Sequence, residues 1–299
     1  MKKIIVVCSV VVLTLLLVAL PFMAACAKPA PPPPPPTPAP TPAPPPPPPT
    51  PAPPPPPPPT PAEFKLTSLA ISPDEVVAGS TVTARVGVAN IGEVEGTYVV
   101  TLKLNGKEAG SEVVTLAGEE TKTVSFTIVT GDGGMYTVKV NGLTKTLRVS
   151  PMPPAGYEGY TDWENGFFIA YPEGWRQEVG GRGSIVVSFG GPVEDGFRPN
   201  YSVAIGAPGL WRNAEGFDEV SEKLKSLIPD YKAISTEDVI INDIPAVKHV
   251  YTAGGIKCMT VYLRGDKAIA IVVCGTLVTN YNKHEDTFDT IVDSFRWLL

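Results

Sequence analysis

The sequence has few of the residues that most often catalyse reactions or bind metal ions. It contains two histidines, His249 and His284, and four cysteines among 299 residues. Neither histidine lies in a Cys-x-x-Cys or His-x-x-His spacing, and a zinc site needs three or four converging ligands. A Gly-x-Ser-x-Gly motif, which presents the nucleophile in many hydrolases, is also missing from the sequence. We therefore expect a protein that is not an enzyme and that binds no metal or other cofactor.

Basic clusters are scarce as well. The chain has 24 Lys and Arg against 30 Asp and Glu, and its formal net charge is −6. Binding to nucleic acid depends on Lys and Arg side chains that follow the phosphates, so we expect no nucleic-acid partner.

The glycine-rich stretch at residues 180–184 lacks the Lys-Ser/Thr pair of a phosphate-binding loop. It predicts a connection between two strands instead.

The N-terminus has the pattern of a secretion signal. Lys2 and Lys3 form a positive region, and an almost unbroken apolar run follows from Ile4 to Leu20. Small residues then lead to Cys26 in the order Met-Ala-Ala-Cys. This order is typical of a signal peptide with a processing site.

The segment from Met23 to Cys26 resembles the bacterial lipobox, with Met23 in place of the usual leucine. The resemblance implies that residues 1–25 are a lipoprotein signal peptide and that Cys26 becomes the acylated first residue. Two acyl chains on one cysteine would bind a membrane firmly. We therefore expect a lipid-anchored protein outside the cytoplasm, at the cell membrane or the cell surface. The alternative is an uncleaved transmembrane anchor, because the apolar run approaches the about 20 residues that cross a bilayer.

Proline is the most unevenly distributed residue. Most of the 36 prolines lie between Pro29 and Pro61, together with Ala and Thr. Proline fixes φ and removes the backbone donor, so this stretch predicts polyproline II rather than helix or sheet. At about 3.1 Å per residue, residues 26–62 would form a semi-rigid stalk with a reach of roughly 100 Å. A docking site for proline-recognising modules is the alternative, but those modules usually require a charge beside the prolines, and none follows Lys28 within the stretch.

Residues 63–150 alternate apolar and polar side chains in several short segments, such as Val82 to Val88 and Val124 to Ile128. This alternation favours antiparallel strands with one buried and one wet face. Asn105-Gly106 and Asn141-Gly142 are typical two-residue hairpin turns. Seven or so strands in this length predict an immunoglobulin-like antiparallel β-sandwich.

Several motifs in this segment resemble the CARDB family, a group of cell-adhesion-related bacterial domains. The motifs that carry the resemblance are Leu-Ala-Ile-Ser-Pro at 69–73, Val-Gly-Val-Ala-Asn-Ile-Gly at 86–92, Gly-Thr-Tyr at 96–98 and Leu-Ala-Gly-Glu at 116–119. The resemblance implies a sandwich without catalytic residues, used for spacing or for weak contacts with proteins or carbohydrates.

The chain changes character after a short linker at residues 151–159. Residues 160–299 contain strand patterns and two stretches with helical spacing of apolar residues, which predict an α+β domain with an antiparallel sheet. We expect the first helix to begin at Asn213 and to end before Pro229. Its apolar face would consist of Phe217, Val220, Leu224, Leu227 and Ile228, and that of the second helix of Phe288, Ile291, Val292, Phe295 and Leu298.

The same region resembles the PsbP-like group of small α/β/α domains. The resemblance rests on Gly-Phe-x-x-x-Tyr-Pro-x-Gly-Trp at 166–175, Ile-Ile-Asn-Asp-Ile-Pro-Ala at 240–246 and the closing segment from Phe288 to Phe295. Asp243 stands where the family often has glycine. The group includes binding proteins with unlike partners, so the resemblance implies a fold and no particular ligand. We expect Trp175 to pack against the sheet.

Cys258 and Cys274 flank a predicted hairpin, and the pairing register decides whether their side chains meet. If Arg264 pairs with Ala268, one apolar face is aligned throughout and Cys258 lies opposite Cys274. Their thiols would then be close enough for a disulfide in an oxidising compartment. Two adjacent buried thiols without a bond are the alternative.

The turn of that hairpin contains the adhesion-type tripeptide Arg264-Gly265-Asp266. Turns of this composition are common, so we interpret it as a polar turn.

Together these patterns predict a membrane-anchored lipoprotein outside the cytoplasm. A proline-rich stalk would display a CARDB-like sandwich and a PsbP-like binding domain, with a protein or cell-envelope component as the partner. Two alternatives stay open: an envelope enzyme or solute receptor with a cleft in the C-terminal domain, and a purely structural spacer.

Overall fold

The computed structural model describes residues 55–179, 184–206 and 218–298. Cys26, the predicted signal peptide and most of the proline-rich stretch lie outside these ranges, as do Asn213 and Phe217. Antiparallel β-sheet dominates both globular parts. Among the described residues, no helix combines the length and the apolar character needed to cross a bilayer.

The first globular part, residues 64–150, is a sandwich of two sheets. One sheet has the strand order β1-β3-β6 and the other β2-β8-β7-β4-β5, and every pair is antiparallel except β2 with β8. The strands are β1 (Phe64–Ser72), β2 (Glu75–Val77), β3 (Thr81–Asn90), β4 (Gly96–Leu104), β5 (Lys107–Leu116), β6 (Thr121–Val129), β7 (Gly134–Val140) and β8 (Leu143–Ser150). The predicted two-layer arrangement is therefore confirmed.

The core of the sandwich consists of the alternating apolar residues that the sequence pattern predicted to face inwards. Val82, Val86 and Val124 are almost completely buried there. Asn105 has a φ of 48° at the first predicted hairpin turn, and Gly106 has a φ of 82°. This left-handed geometry is what a tight hairpin of this type requires.

The asparagine of the CARDB-like motif, Asn90, organises one end of the sandwich. Its Oδ1 accepts hydrogen bonds from the backbone N–H groups of Glu63 and Gly92, both at 3.1 Å. Its Nδ2 donates to the carbonyl oxygens of Val94, Leu116 and Ala117 at 2.8 to 3.3 Å. Asn90 is buried, so these bonds satisfy a polar group that would otherwise destabilise the fold.

The chain enters and leaves the sandwich at opposite ends. β1 begins at Phe64 opposite Asn90 and ends at Ser72 opposite Thr83. β8 ends at Ser150, whose carbonyl oxygen accepts a hydrogen bond from the N–H of Ala78, close to the start of β3. Strands of this length span about 30 Å, and this distance separates the two ends of the sandwich.

In the second globular part, residues 157–298, the described residues form two sheets and two α-helices. Its larger sheet has the order β11-β12-β13-β17-β16-β15-β14, and its smaller sheet has the order β18-β10-β9. The elements are β9 (Tyr157–Asp162), β10 (Phe167–Pro172), β11 (Arg176–Val179), β12 (Ile185–Gly190), β13 (Asn200–Gly206), α1 (Asp218–Leu227), β14 (Lys232–Ile241), β15 (Ile244–Ala253), β16 (Ile256–Arg264), β17 (Ile269–Leu277), α2 (Tyr281–Asp293) and β18 (Arg296–Trp297).

The larger sheet has a separate apolar core on each face. On one face, Phe288 and Ile291 of α2 pack with Phe167 of the smaller sheet and with inward residues of β16 and β17. On the other face, Leu224 of α1 and Ile228 pack with residues of β15 and β16. The sheet is thus the middle layer, with α1 on one face and with α2 and the smaller sheet on the other. Strands dominate the described residues of the C-terminal domain, so it is more β-rich than the predicted α+β class suggested.

Two details of the predicted helices are corrected. Leu227 is 56% exposed, so it does not belong to the buried face of α1. α2 ends at Asp293, and Phe295 and Leu298 therefore lie beyond the helix, although both are buried. Phe295 and Leu298 face the core from the segment that follows the helix. The apolar spacing in the sequence therefore extends beyond the end of α2.

Side-chain contacts between described residues join the sandwich to the C-terminal domain. The indole N–H of Trp163 donates to Glu75 Oε1 at 3.0 Å, and the guanidinium of Arg148 lies 5.9 Å from the centre of the Trp163 ring. The Thr161 hydroxyl donates to Ser150 Oγ at 2.8 Å. These contacts hold the residues that follow the linker against the end of β8.

Candidate functional site

The two histidines lie in different parts of the C-terminal domain. His249, on β15, is completely buried beneath α1. The phenol oxygen of Tyr231 lies 2.7 Å from its Nε2, and Thr236 Oγ1 lies 2.8 Å from its Nδ1. The Ser235 carbonyl oxygen is 3.1 Å from Nδ1, and the Ser221 hydroxyl is 3.1 Å from the Tyr231 oxygen. The four side chains therefore form a continuous polar network.

Burial determines the charge in this network. It lowers the pKa of His249 to about 4, although the bond to the Ser235 carbonyl opposes the shift. It also raises the pKa of Tyr231. His249 is therefore neutral near pH 7, and its imidazole contacts a phenol rather than the Ser221 hydroxyl. A serine nucleophile needs direct contact with its base, so this geometry does not activate Ser221.

His284 lies at the start of α2 and contacts a tight hairpin on the other face of the sheet. Glu194 Oε2 accepts from Lys283 Nζ at 2.9 Å and lies 3.1 Å from His284 Nε2. Asp195 Oδ2 accepts from Asn280 Nδ2 at 2.9 Å. The hydrogen bonds from Lys283 and His284 hold the pKa of Glu194 below its usual value. This cluster attaches the hairpin to α2.

Cys258 and Cys274 do not lie opposite each other. Cys258 pairs with Gly275, and Met259 pairs with Cys274, so the predicted register was wrong by one residue. The two thiols consequently point to opposite faces of the sheet, and each belongs to a different core. The structure has no disulfide between them, and burial raises the pKa of Cys274.

Gly265 lies in the turn of that hairpin. Its N–H donates to the Ala268 carbonyl oxygen at 2.8 Å, and Arg264 pairs with Ile269 rather than with Ala268. The Trp297 ring packs so closely on Gly265 that a Cβ there would lie 2.8 Å from the indole Cε2. The tripeptide glycine is therefore required by packing, which accords with interpreting residues 264–266 as a turn.

Trp175 packs against the sheet, as the sequence pattern predicted. Its ring centre lies 6.2 Å from that of Tyr201, and the indole closely approaches Gly191. Asp243, where the PsbP-like group that the sequence resembles often has glycine, adopts a φ of 64°. The turn therefore keeps the left-handed geometry with an aspartate.

A groove lies at the junction of the linker and the C-terminal domain. It has a volume of about 200 Å³ and is lined by Pro151, Met152, Pro154, Phe168, Thr290, Asp293, Ser294 and Arg296. Pockets for small ligands usually have volumes of about 300 to 1,000 Å³. Burial raises the pKa of Asp293 and lowers that of Arg296, and Arg296 Nη1 donates to the carbonyl oxygens of Asp293 and Phe295. Arg296, the basic residue that lines the groove, is thus already hydrogen-bonded to backbone carbonyl groups at the C-terminal end of α2.

Cys26, the predicted lipid site, lies outside the described residues, and so do Gly180 to Gly183. Within the described ranges, no group of three His, Cys, Asp or Glu side chains could hold a metal ion.

Sequence reasoning missed both polar networks, because their members come from distant segments. The only local signal was a buried-strand pattern around His249 and a Glu-Asp-Gly turn at residues 194–196.

Comparison with known proteins supports part of the sequence interpretation. Residues 63–142 match the CARDB family model, as the motifs of the sandwich predicted. No curated protein matches the chain in sequence.

Among solved structures, the chain is similar to cyanobacterial PsbP (CyanoP) from Synechocystis, with 18% identity and a TM-score of 0.40 over 48% of this chain and 93% of that one. It is also similar to a β-glucosidase from Listeria innocua, with 21% identity and a TM-score of 0.26 over 30% of this chain and 16% of that one. A β-D-glucoside glucohydrolase from Trichoderma reesei has 18% identity and a TM-score of 0.27 over 30% of this chain and 19% of that one.

The chain thus spans less than a fifth of the length of these two glucosidases, and their activity is not transferred to it. Residues 63–142 are the part of the chain that matches a family model, that of CARDB.

Proposed function

We propose that this protein is a lipid-anchored, non-catalytic binding protein of the cell envelope, in which the CARDB sandwich spaces a C-terminal binding domain from the membrane. The observation that carries this proposal is the position of the two chain connections at opposite ends of the sandwich. A domain inserted in this way adds its full length of about 30 Å to the reach of the stalk.

The stalk junction supports the spacer role. The N–H of Thr60 donates to Glu93 Oε2 at 2.9 Å, and the N–H of Glu93 donates back to the Thr60 carbonyl oxygen at 3.0 Å. Three residues later, the N–H of Glu63 donates to Asn90 Oδ1. The last residues of the proline-rich stretch are thus held against the end of the sandwich, so the stalk direction is coupled to the domain.

The C-terminal domain supports a binding role without catalysis. Burial lowers the pKa of His249 to about 4 and so favours its neutral form, and His284 shares Glu194 with a lysine. The groove beside the linker is smaller than a usual small-molecule site. We propose that the domain has the PsbP-like α+β architecture and contacts a protein or envelope component through its surface. Nucleic acid is not its partner.

The anchor is tested by intact mass and membrane partition of the expressed chain, for the wild type, Cys26→Ala and Cys8→Ala. We expect the wild type to begin at acylated Cys26 and to partition with membrane. Cys26→Ala should lose the acyl mass, whereas Cys8→Ala, a matched change inside the apolar run, should be processed normally. A wild-type chain that keeps Met1 and remains in the membrane fraction after Cys26→Ala would show a transmembrane anchor and refute the lipid anchor.

A further inference from the structure

Strand β5 (Lys107–Leu116) forms one edge of the five-stranded sheet of the sandwich. Within the described ranges it pairs with β4 alone, so its other side presents backbone donors and acceptors. A bulge interrupts the pairing near the hairpin turn, where the register shifts between Leu102 and Lys103 of β4. Residues 111–116 pair regularly beyond this bulge. Open edges of this kind accept an additional strand.

Asn141 shows which backbone groups of β5 face outwards. Its Oδ1 accepts a hydrogen bond from the Thr101 N–H at 2.9 Å, and its Nδ2 donates to the Val99 carbonyl oxygen at 2.8 Å. These groups of β4 point away from β5, so the residues that pair with Thr101 and Val99 form non-hydrogen-bonded pairs with them. Those residues are Ser111 and Val113. In such pairs the N–H and C=O groups point away from the partner strand, so Ser111 and Val113 present theirs at the open edge.

The outer face of this edge has an exposed apolar pair. Val99 and Val113 lie opposite each other on β4 and β5, and they are 49% and 63% exposed. A strand added next to β5 would place a side chain beside this pair, and β-branched neighbours on adjacent strands stabilise each other. The edge therefore favours a strand with a β-branched residue next to Val113.

Carboxylates give the same edge a negative charge. Glu112 lies between the two outward-facing residues, and Glu119 follows in the turn after β5. Both side chains are exposed, and among the described residues neither has an ion-pair or hydrogen-bond partner. Lys107 lies at the other end of the strand, beyond the bulge. A basic side chain on the added strand would therefore be attracted to Glu112.

Two other occupants fit this edge less well. Two-fold antiparallel pairing with a second copy brings the two Glu112 side chains together. They lie directly opposite in a register centred on Glu112 and diagonally in one centred on Val113, and like charges destabilise such neighbours. The chain's own proline-rich stretch, residues 29–61, lacks most of the N–H groups that strand pairing needs. A basic strand from another protein matches the backbone groups, Val113 and Glu112 together.

We propose that residues 111–116 of β5 are a docking edge for an extended, basic peptide segment of a partner protein, which adds as an antiparallel strand. Backbone hydrogen bonds to Ser111 and Val113 supply most of the attraction, while Val113 and Glu112 select the side chains. The short contact implies a weak, transient complex. This inference goes beyond the proposed function, in which the sandwich serves as a spacer.

The test measures binding of a fluorescein-labelled peptide, acetyl-Thr-Lys-Val-Arg-Val-Lys-Thr-amide, to the full chain in detergent by fluorescence anisotropy. Val113→Pro removes an outward N–H without breaking a bond to β4, and it should weaken binding about tenfold or more. Glu112→Lys should weaken binding about tenfold, because repulsion replaces attraction. Glu173→Lys makes the same charge change on the C-terminal domain and should leave binding unchanged. Circular dichroism checks that each variant is folded.

Two methylated peptides separate strand addition from charge attraction, since both keep the charge of the parent peptide. N-methyl groups on the two valines, whose N–H groups would face β5, should abolish binding. N-methyl groups on the two lysines, whose N–H groups would face away from β5, should leave binding unchanged.

Equal binding of the two methylated peptides, or equal loss in Glu112→Lys and Glu173→Lys, would show plain charge attraction and overturn the proposal. No binding to the wild type would overturn it as well. Neither result concerns the acylation of Cys26, so the docking edge and the lipid anchor can fail independently.

Discussion

Tyr231 and His249 are joined by a hydrogen bond of 2.7 Å between the phenol oxygen and Nε2, in a position where His249 has no exposed surface. The bond connects the segment after α1 to β15, and Thr236 extends it to the edge strand β14. A neutral histidine therefore holds three elements together. The four tryptophans, at positions 163, 175, 211 and 297, all follow residues 63–150 in the sequence, so tryptophan fluorescence is used below to follow the C-terminal domain.

Acid should destabilise the C-terminal domain through His249. Its folded pKa is lowered to about 4 from an unfolded value near 6.5, so the unfolded state binds the proton more strongly. Its contribution is complete above about pH 6.5 and is lost as the pH falls towards 4. In urea unfolding followed by tryptophan fluorescence at pH 7, 5.5 and 4.5, His249→Gln should be less stable at pH 7 and show a smaller loss with acid. A pH slope identical to that of the wild type would contradict this role, and His284→Gln is the control.

Asn90→Ala should destabilise the sandwich by about 3 kcal/mol, because it leaves several buried backbone groups without their partner. Circular dichroism during urea unfolding should show an earlier transition for the sandwich, with the tryptophan transition unchanged. Thr123→Ala, an exposed change in the same sandwich, should behave like the wild type. An unchanged transition for Asn90→Ala would show that the bonds are replaced by water.

Gly265→Ala should destabilise the C-terminal domain by about 1 to 3 kcal/mol, since the new methyl group overlaps the Trp297 ring. Thermal unfolding followed by tryptophan fluorescence measures this loss. Asp266→Ala changes the exposed neighbour in the same turn and should have little effect. Equal stability of the two variants would mean that the turn can move away from Trp297 without cost.

Cys258 and Cys274 should remain thiols in the purified protein, because they face opposite sides of the sheet. Trypsin separates them into the peptides 258–264 and 268–283, so mass mapping without reductant distinguishes the two states. We expect both peptides as separate species with alkylatable thiols after denaturation. A disulfide-linked pair of these peptides would contradict this expectation and support the register predicted from the sequence, in which Cys258 lies opposite Cys274.

Trp163→Ala should loosen the connection between the sandwich and the C-terminal domain, since the indole bonds to Glu75 and stacks near Arg148. Cleavage by chymotrypsin after Tyr157 should become several-fold faster, as measured by the rate at which the two fragments appear. Glu75→Gln keeps an acceptor oxygen and should be cleaved at the wild-type rate. A rate unaffected by Trp163→Ala would show that the linker itself limits access.

The sandwich was largely predictable, because one face of each strand is apolar and the other polar, and Asn-Gly turns mark the hairpins. The C-terminal strands were predictable in position but not in pairing. β16 and β17 have apolar residues on both faces, and β16 contributes to the core on each side of the sheet. Period-two alternation therefore contained no information on their register, and the expected opposition of Cys258 and Cys274 failed for that reason.

The sequence alone determined which segments become strands, where the chain divides, and which residues resemble CARDB, because these properties depend on local periodicity, turn chemistry and composition. The tertiary structure decided which distant residues meet. Trp297 packs on Gly265 in the hairpin turn, His249 becomes neutral because it is buried beside Tyr231, and β14 is the last strand of the larger sheet within the described ranges. Contacts between segments far apart in the chain depend on the packing of whole layers, which no local pattern encodes.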